Sequence, residues 1–202
     1  MNSVKRLSLL RPTWMEVDLD RLAHNIGEVR RVIGRDRKLI GVAKGDAYGH
    51  GLLGTVPTMF DSGVDVVALG NLNDAVRLRE AGCRGPLLLF GSCLVDDVAE
   101  VVVKYGIIPT LWDGEGARVY SKVARGALEV YLKVDTGFHR LGVSMDDAAE
   151  VAREIESLPN LHIGCVYTHF PDPIKGEEFT REQYHCFVKT IEAIRAAGLT
   201  VP

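Results

Sequence analysis

The sequence predicts an α/β protein made of repeated βα units around a parallel sheet. Two observations carry this. Six short runs rich in Val, Leu and Ile recur along the 202 residues, at Lys38–Ala43, Val64–Leu69, Pro86–Phe90, Gly106–Thr110, Leu128–Val134 and Leu161–Tyr167. Each is bounded by Gly, Pro or Asp, as strands buried on both faces are. Between them lie segments with helical spacing, at Asn73–Ala81, Asp96–Lys104, Gly114–Ala124, Asp146–Leu158 and Thr180–Ala197. A third observation narrows the class: no G-x-G-x-x-G follows the first strand, which weakens a dinucleotide-binding reading. Periodicity alone leaves open a doubly wound sheet or a closed barrel. A full (β/α)8 TIM-type barrel needs two units beyond the six, at typically ~250 residues.

Ahead of the repeat, Trp14, Glu16 and Asp18 alternate with Met15, Val17 and Leu19, which predicts a short strand. Asp18 or Asp20 then caps a helix through about Ile33, with Leu22, Ile26, Val29 and Ile33 on one face. Near the other end, Lys175, Glu177 and Glu178 read as a solvated loop. Thr180 to Gln183 has capping-box spacing and predicts a helix start at Thr180.

Composition excludes several classes. Hydrophobic residues make up 47%, enough for a substantial core, and the net charge of −3 comes from interspersed acids and bases. That pattern suits neither a nucleic-acid groove nor an anionic membrane surface. Cys83, Cys93, Cys165 and Cys186 form no C-x-x-C pair, so they read as small core fillers in a reducing, cytoplasmic setting. No apolar stretch approaches the ~18 residues of a transmembrane helix. Residues 1–10 hold too short an apolar run for a signal peptide and read as an N-terminal extension. Residues 11–202 read as one domain.

Three runs carry candidate chemistry. The first, Lys44-Gly45-Asp46-Ala47-Tyr48-Gly49-His50-Gly51, follows the first strand of the repeat. Strand C-terminal ends are where barrel enzymes place catalytic groups. A lysine in a partly desolvated pocket can attack an aldehyde to give a Schiff base. Taken alone, Lys44 is as readily a solvated lysine before a glycine-rich turn. The second run is Tyr131 to Gly142. Lys133 and Asp135 share strand parity and so one face, with Arg140 near enough in sequence to partner them. A structural ion pair explains them equally well. The third is Thr168-His169-Phe170-Pro171, at the end of the last strand. His169 there either meets a flat ligand or is a structural histidine. His24, His162 and His185 lie on or beside helices without an evident ligand partner.

Together these runs resemble alanine racemases. Arg11-Pro12-Thr13-Trp14 with Glu16, Asp18 and Leu19 is similar to the family's opening, Lys44–Gly51 to its cofactor-lysine motif, and Lys133–Gly142 to its middle motif. Thr168-His169-Phe170 falls where the family has a histidine. The resemblance covers nearly all of Arg11 to Pro202. It implies an N-terminal (β/α)8 barrel that binds pyridoxal 5'-phosphate, with about six βα units present and the closing units and a separate β domain absent. It further implies that Lys44 holds the cofactor covalently and is the base on one face of the substrate. Tyr48 would bond the cofactor phosphate, His169 would lie against the pyridine ring, and Arg140 would contact its phenolic oxygen. Lys133 matches a lysine that is carbamylated in some members. The implied activity is interconversion of L- and D-alanine for cell-wall D-alanine supply, by a homodimer in the complete protein. A second base would lie outside this chain, so the chain alone is expected to be inactive. Gly45, Phe138, Pro171 and Asp172 depart from the family pattern and leave the substrate open. A racemase of serine or a basic amino acid, or a non-catalytic pyridoxal-phosphate carrier, are the alternatives.

Overall fold

The computed structural model describes residues 14–91, 96–174 and 176–201. Arg11 to Thr13 of the opening motif, residues 1–10, Cys93 and Lys175 lie outside them. The element order is α1 (Leu19–Ile33), β1 (Ile40–Val42), α2 (Lys44–Tyr48), α3 (Leu52–Asp61), β2 (Val66–Leu69), α4 (Leu72–Glu80), β3 (Leu87–Leu89) and α5 (Asp96–Lys104). It continues with β4 (Ile108–Leu111), α6 (Gly114–Val123), β5 (Leu128–Lys133), α7 (Ala148–Ser157), β6 (Leu161–Tyr167) and α8 (Glu177–Ala196). Each strand falls on its expected apolar run, β4 extending one residue further.

Two local expectations are corrected and one is narrowed. Trp14 to Asp18 form no strand, and Trp14 and Met15 are exposed. The alternation there reflects no burial. Asp18, not Asp20, caps α1 by accepting the Arg21 N–H at 3.1 Å. Helix α8 begins at Glu177 with Gly176 as its cap, so Glu177 and Glu178 form its first turn. Acidic groups are favoured there by the helix dipole. Thr180 sits inside the helix, its hydroxyl donating to the Asp172 carbonyl. Helix α3 fills the interval between β1 and β2 although Gly54 and Pro57, both poor helix formers, lie within it. Leu52, Thr55, Val56 and Met59 nevertheless recur at helical spacing and are buried.

The six strands are all parallel and ordered β1-β2-β3-β4-β5-β6. Side-chain contacts show that this sheet curls. Strands β3 and β6 are three spacings apart, about 14 Å across a flat sheet. Yet the rings of Phe90, just past β3, and Tyr167, ending β6, lie 6.1 Å apart. Likewise Thr110 of β4 and Tyr167 share a 2.8 Å hydroxyl hydrogen bond across two spacings. The concave face therefore closes on itself as a barrel wall does. It holds Val66, Ala68, Leu88 and Tyr131, with Ile40, Phe90, Ile108, Cys165 and Tyr167 against them.

The alternate residues point outward and pack under the helices. Val67, Leu69, Leu87, Leu89, Leu111 and Leu132 are buried there. Each fully buried leucine contributes about 2 kcal/mol. Cys83, Cys165 and Cys186 are partly buried free thiols, as fillers would be. His162 lies on β6, exposed. Among the described residues no helix is long and apolar enough to cross a membrane.

Candidate active site

The strand C-termini form one mouth, and three segments reach into it. The first is α2, a single turn wound left-handed: Gly45, Asp46, Ala47, Tyr48 and Gly49 have φ of 61°, 55°, 56°, 54° and 83°. Such a turn costs L-residues about 1–2 kcal/mol each, so it needs anchors. The Ala47 N–H bonds the Ala43 carbonyl at 3.0 Å, and the Gly49 N–H bonds the Gly45 carbonyl at 3.0 Å. The Asp46 carboxylate accepts the Leu52 N–H at 2.9 Å, tying the turn to α3. The result leaves Lys44 and Tyr48 exposed, with the lysine Nζ 5.8 Å from the tyrosine ring centroid. Gly70, just past β2, gives this lysine room: a Cβ there would stand 3.2 Å from the Lys44 Cβ.

The second segment is the loop after β5. The Asp135 carboxylate accepts N–H bonds from Gly137, Phe138 and His139 at 2.9, 2.9 and 3.1 Å. Burial pushes its pKa up, but these bonds outweigh burial and hold the carboxyl below its ordinary value. The loop returns beside its own strand, with Asp135 N–H to the Val143 carbonyl and Val143 N–H to the Lys133 carbonyl, both at 2.9 Å. Gln183 of α8 supports it from below: this buried side chain lies against Gly137, and its amide meets no hydrogen-bond partner among the described residues. The third segment is the end of β6, joined to the loop by a 2.8 Å hydroxyl bond between Thr136 and Thr168.

The expected partnership of Lys133, Asp135 and Arg140 is not what holds these charges. Asp135 organises the loop backbone. The Arg140 guanidinium lies 4.2 Å from the Phe138 ring centroid, and Lys133 Nζ lies 5.2 Å from that of Tyr167. The Phe138 ring in turn meets His169 edge-on, 5.1 Å between centroids. Lys44, Lys133 and Arg140 make no ion pair or hydrogen bond among the described residues; each rests on an aromatic face instead. Their fields converge. Burial first, then Arg140, Lys133 and Lys44, push the His169 pKa down. Burial also lowers the Lys133 pKa, Asp135 opposing and Arg140 adding to the shift. Burial, countered in part by the Thr110 hydrogen bond, raises Tyr167 to about 12.

Sequence reasoning missed Phe138, Tyr167 and Thr110 as parts of the site. Strand parity contained the signal for Tyr167, which shares the facing of His169 as Tyr131 shares that of Lys133.

The buried ammonium has a measurable consequence. With its folded pKa below the unfolded value, Lys133 loses its proton in the folded state first as pH rises. The unfolded state then binds more protons, so stability increases with pH between the lowered pKa and about 10.5. Below that window the full penalty of burying the charge applies. Above about 10 the raised tyrosines reverse the trend. Lys133→Met is expected to be more stable near neutral pH by about 1 kcal/mol and to lose this slope. Urea unfolding at a series of pH values checks both; an unchanged slope would count against a buried ammonium.

Fold and mouth together define a class of protein: a curled parallel βα repeat that gathers a primary amine, two further cations and an imidazole at its strand ends. Residues 17–202 match the family described as alanine racemase, N-terminal domain, and the chain belongs to that family. The alanine racemase of Synechocystis is 33% identical over 193 residues, covering 94% of this chain and 52% of the relative. The solved alanine racemase of Clostridium difficile superposes with a TM-score of 0.90 at 26% identity, covering 96% of this chain and 52% of that one. The fold recurs in a histidine racemase of Leuconostoc mesenteroides at 22% identity with a TM-score of 0.75, over 84% of this chain and 46% of that one. The chain spans about half the length of the curated relatives it matches.

Proposed function

We propose that this chain carries the cofactor-lysine side of a pyridoxal-phosphate-dependent amino-acid racemase acting on alanine. The observation that carries the reading is the mouth itself: Lys44, Lys133 and Arg140 converge on His169 with no carboxylate committed to any of them. Such a set suits a ligand with an aldehyde, an aromatic ring and a phosphate. Pyridoxal phosphate, when bound, supplies a carbonyl that condenses with an amine and a ring that acidifies the substrate's α-hydrogen.

The chain's own residues then divide the work. Lys44 provides the amine and, once free, takes or returns the proton at the α-carbon on one face. The Tyr48 hydroxyl, exposed beside it, is a donor for the phosphate. His169 would lie against the ring, and its lowered pKa favours the neutral imidazole there. Arg140 offers N–H donors to the ring oxygen. Burial lowers the Lys133 pKa and so favours the neutral amine, the form that would add to carbon dioxide with release of a proton. Its carbamate would set an anion beside Arg140. Delivery of a proton on the opposite face requires a second base; none of this chain's tyrosine runs resembles that base's motif, and the reading assigns it to a site completed in a homodimer. Alanine is favoured by the relatives matched; the histidine racemase shows that the fold alone does not set the side chain accepted.

The test is direct. Pyridoxal phosphate is added, the adduct reduced with borohydride, and the modified peptide mapped. The label is expected on Lys44. Label on Lys133 with Lys44 untouched would sink the assignment.

A further inference from the structure

We propose that Phe138 is a positioning residue of this site: its ring, in contact with both the Arg140 guanidinium and the His169 imidazole, sets both groups toward the cofactor. The proposal rests on the reading of the mouth as a pyridoxal-phosphate site and adds to it a residue that contributes no polar group of its own.

The guanidinium carbon lies 4.2 Å from the ring centroid, and the imidazole meets the ring edge-on, 5.1 Å between centroids with the planes at 77°. Arg140 and His169 come from different segments, the loop after β5 and the end of β6. Both are exposed, and neither makes a hydrogen bond or ion pair among the described residues. A long exposed arginine without a partner samples many rotamers. The face of an aromatic ring attracts a guanidinium, and a ring edge against a second ring fixes a preferred angle. Phe138 is in contact with both.

The ring is itself well fixed. Its backbone N–H donates to Asp135 at 2.9 Å, and the residues on either side donate to the same carboxylate oxygen. His139, between the ring and the arginine in sequence, has a left-handed φ of 56°. This turns the chain so that Arg140 comes back over Phe138. Position, not chemistry, is what the ring supplies: Phe138 can neither donate nor accept a proton.

The groups that face His169 from other elements are Lys44 after β1, Lys133 ending β5 and Arg140 in the loop. Removing the ring takes away one apolar neighbour of the already exposed imidazole and releases Arg140. The His169 titration measured without cofactor then reports these ring contacts independently of any ligand. The variants are Phe138→Leu and Phe138→Met, which remove the ring but keep apolar bulk, and Phe138→Tyr, which keeps the ring.

In cofactor-free protein, the imidazole titration followed by NMR is expected to move up toward the ordinary histidine value in the Leu and Met variants. It should stay in place in Phe138→Tyr. Pyridoxal-phosphate affinity, read by absorbance titration, is expected to weaken about tenfold in the first two and to recover in the third. Titration and affinity both unchanged in Leu and Met would overturn the proposal. A shifted titration with unchanged affinity would also overturn it, leaving Phe138 a structural role only. If the parent protein takes up no pyridoxal phosphate, the cofactor reading fails, and with it the role of Phe138 toward that cofactor.

Discussion

Gly142→Ala is expected to destabilise the protein by about 3 kcal/mol, summing left-handed strain and an immovable overlap. Gly142 has φ of 132°, which side-chain-bearing residues avoid. A Cβ there would stand 2.7 Å from the Asp135 nitrogen and 2.8 Å from the Val134 carbonyl carbon. Both are backbone atoms that cannot yield. The Asp135 N–H is bonded to Val143 and the Val134 N–H to the Tyr167 carbonyl, each at 2.9 Å. Relieving the overlap means peeling the loop from β5, and the loop carries Phe138 and Arg140. Urea unfolding should show a lower midpoint with little change in slope. Gly126→Ala is the control, because a Cβ there meets nothing within 4 Å and the φ is ordinary. Equal midpoints for the two variants would show that the loop closes some other way.

Lys44→Arg should abolish borohydride labelling and lower alanine racemisation at least ~10³-fold. Arginine keeps the positive charge and most of the length, so attraction for an anionic ligand survives. Its guanidinium stays protonated throughout the working range and is no nucleophile. Charge and nucleophilicity are thus separated in one substitution. The measurement is D-alanine formation from L-alanine by a length of chain that supports turnover, with labelling as the second readout. Retained labelling would move the amine to another lysine, and retained turnover without labelling would remove the covalent role.

The fold was largely legible because buried parallel strands are short, apolar and punctuated, and six such runs in order leave few topologies. The errors came where local pattern and tertiary burial disagree. Trp14 to Asp18 alternate without a sheet to face. Thr180 and Gln183 have the spacing of a cap, yet Gly176 starts the helix a turn earlier and Gln183 is buried under the loop. In α3, packing of Leu52, Val56 and Met59 overrides the low propensity of Gly54 and Pro57.

Within the site, sequence found the charged residues but not what holds them. Charges suggest other charges as partners, so Lys133 and Arg140 were expected to join Asp135. The structure sets them on Tyr167 and Phe138, residues that a search for polar chemistry passes over.

The left-handed turn at Lys44 bears on how the protein breathes. Asp46, Ala47 and Tyr48 are held where unfolded chains rarely go, by hydrogen bonds to Ala43 just past β1 and to α3 and not by burial of their own side chains, Ala47 excepted. Strain of this kind lowers the free energy of local opening without touching the sheet below. The amides of Ala47 and Gly49 should accordingly exchange with solvent sooner than those of β2. The lysine's backbone can thus loosen and re-form while the six strands stay closed, giving its amine a range of approach that a residue on a regular helix would lack.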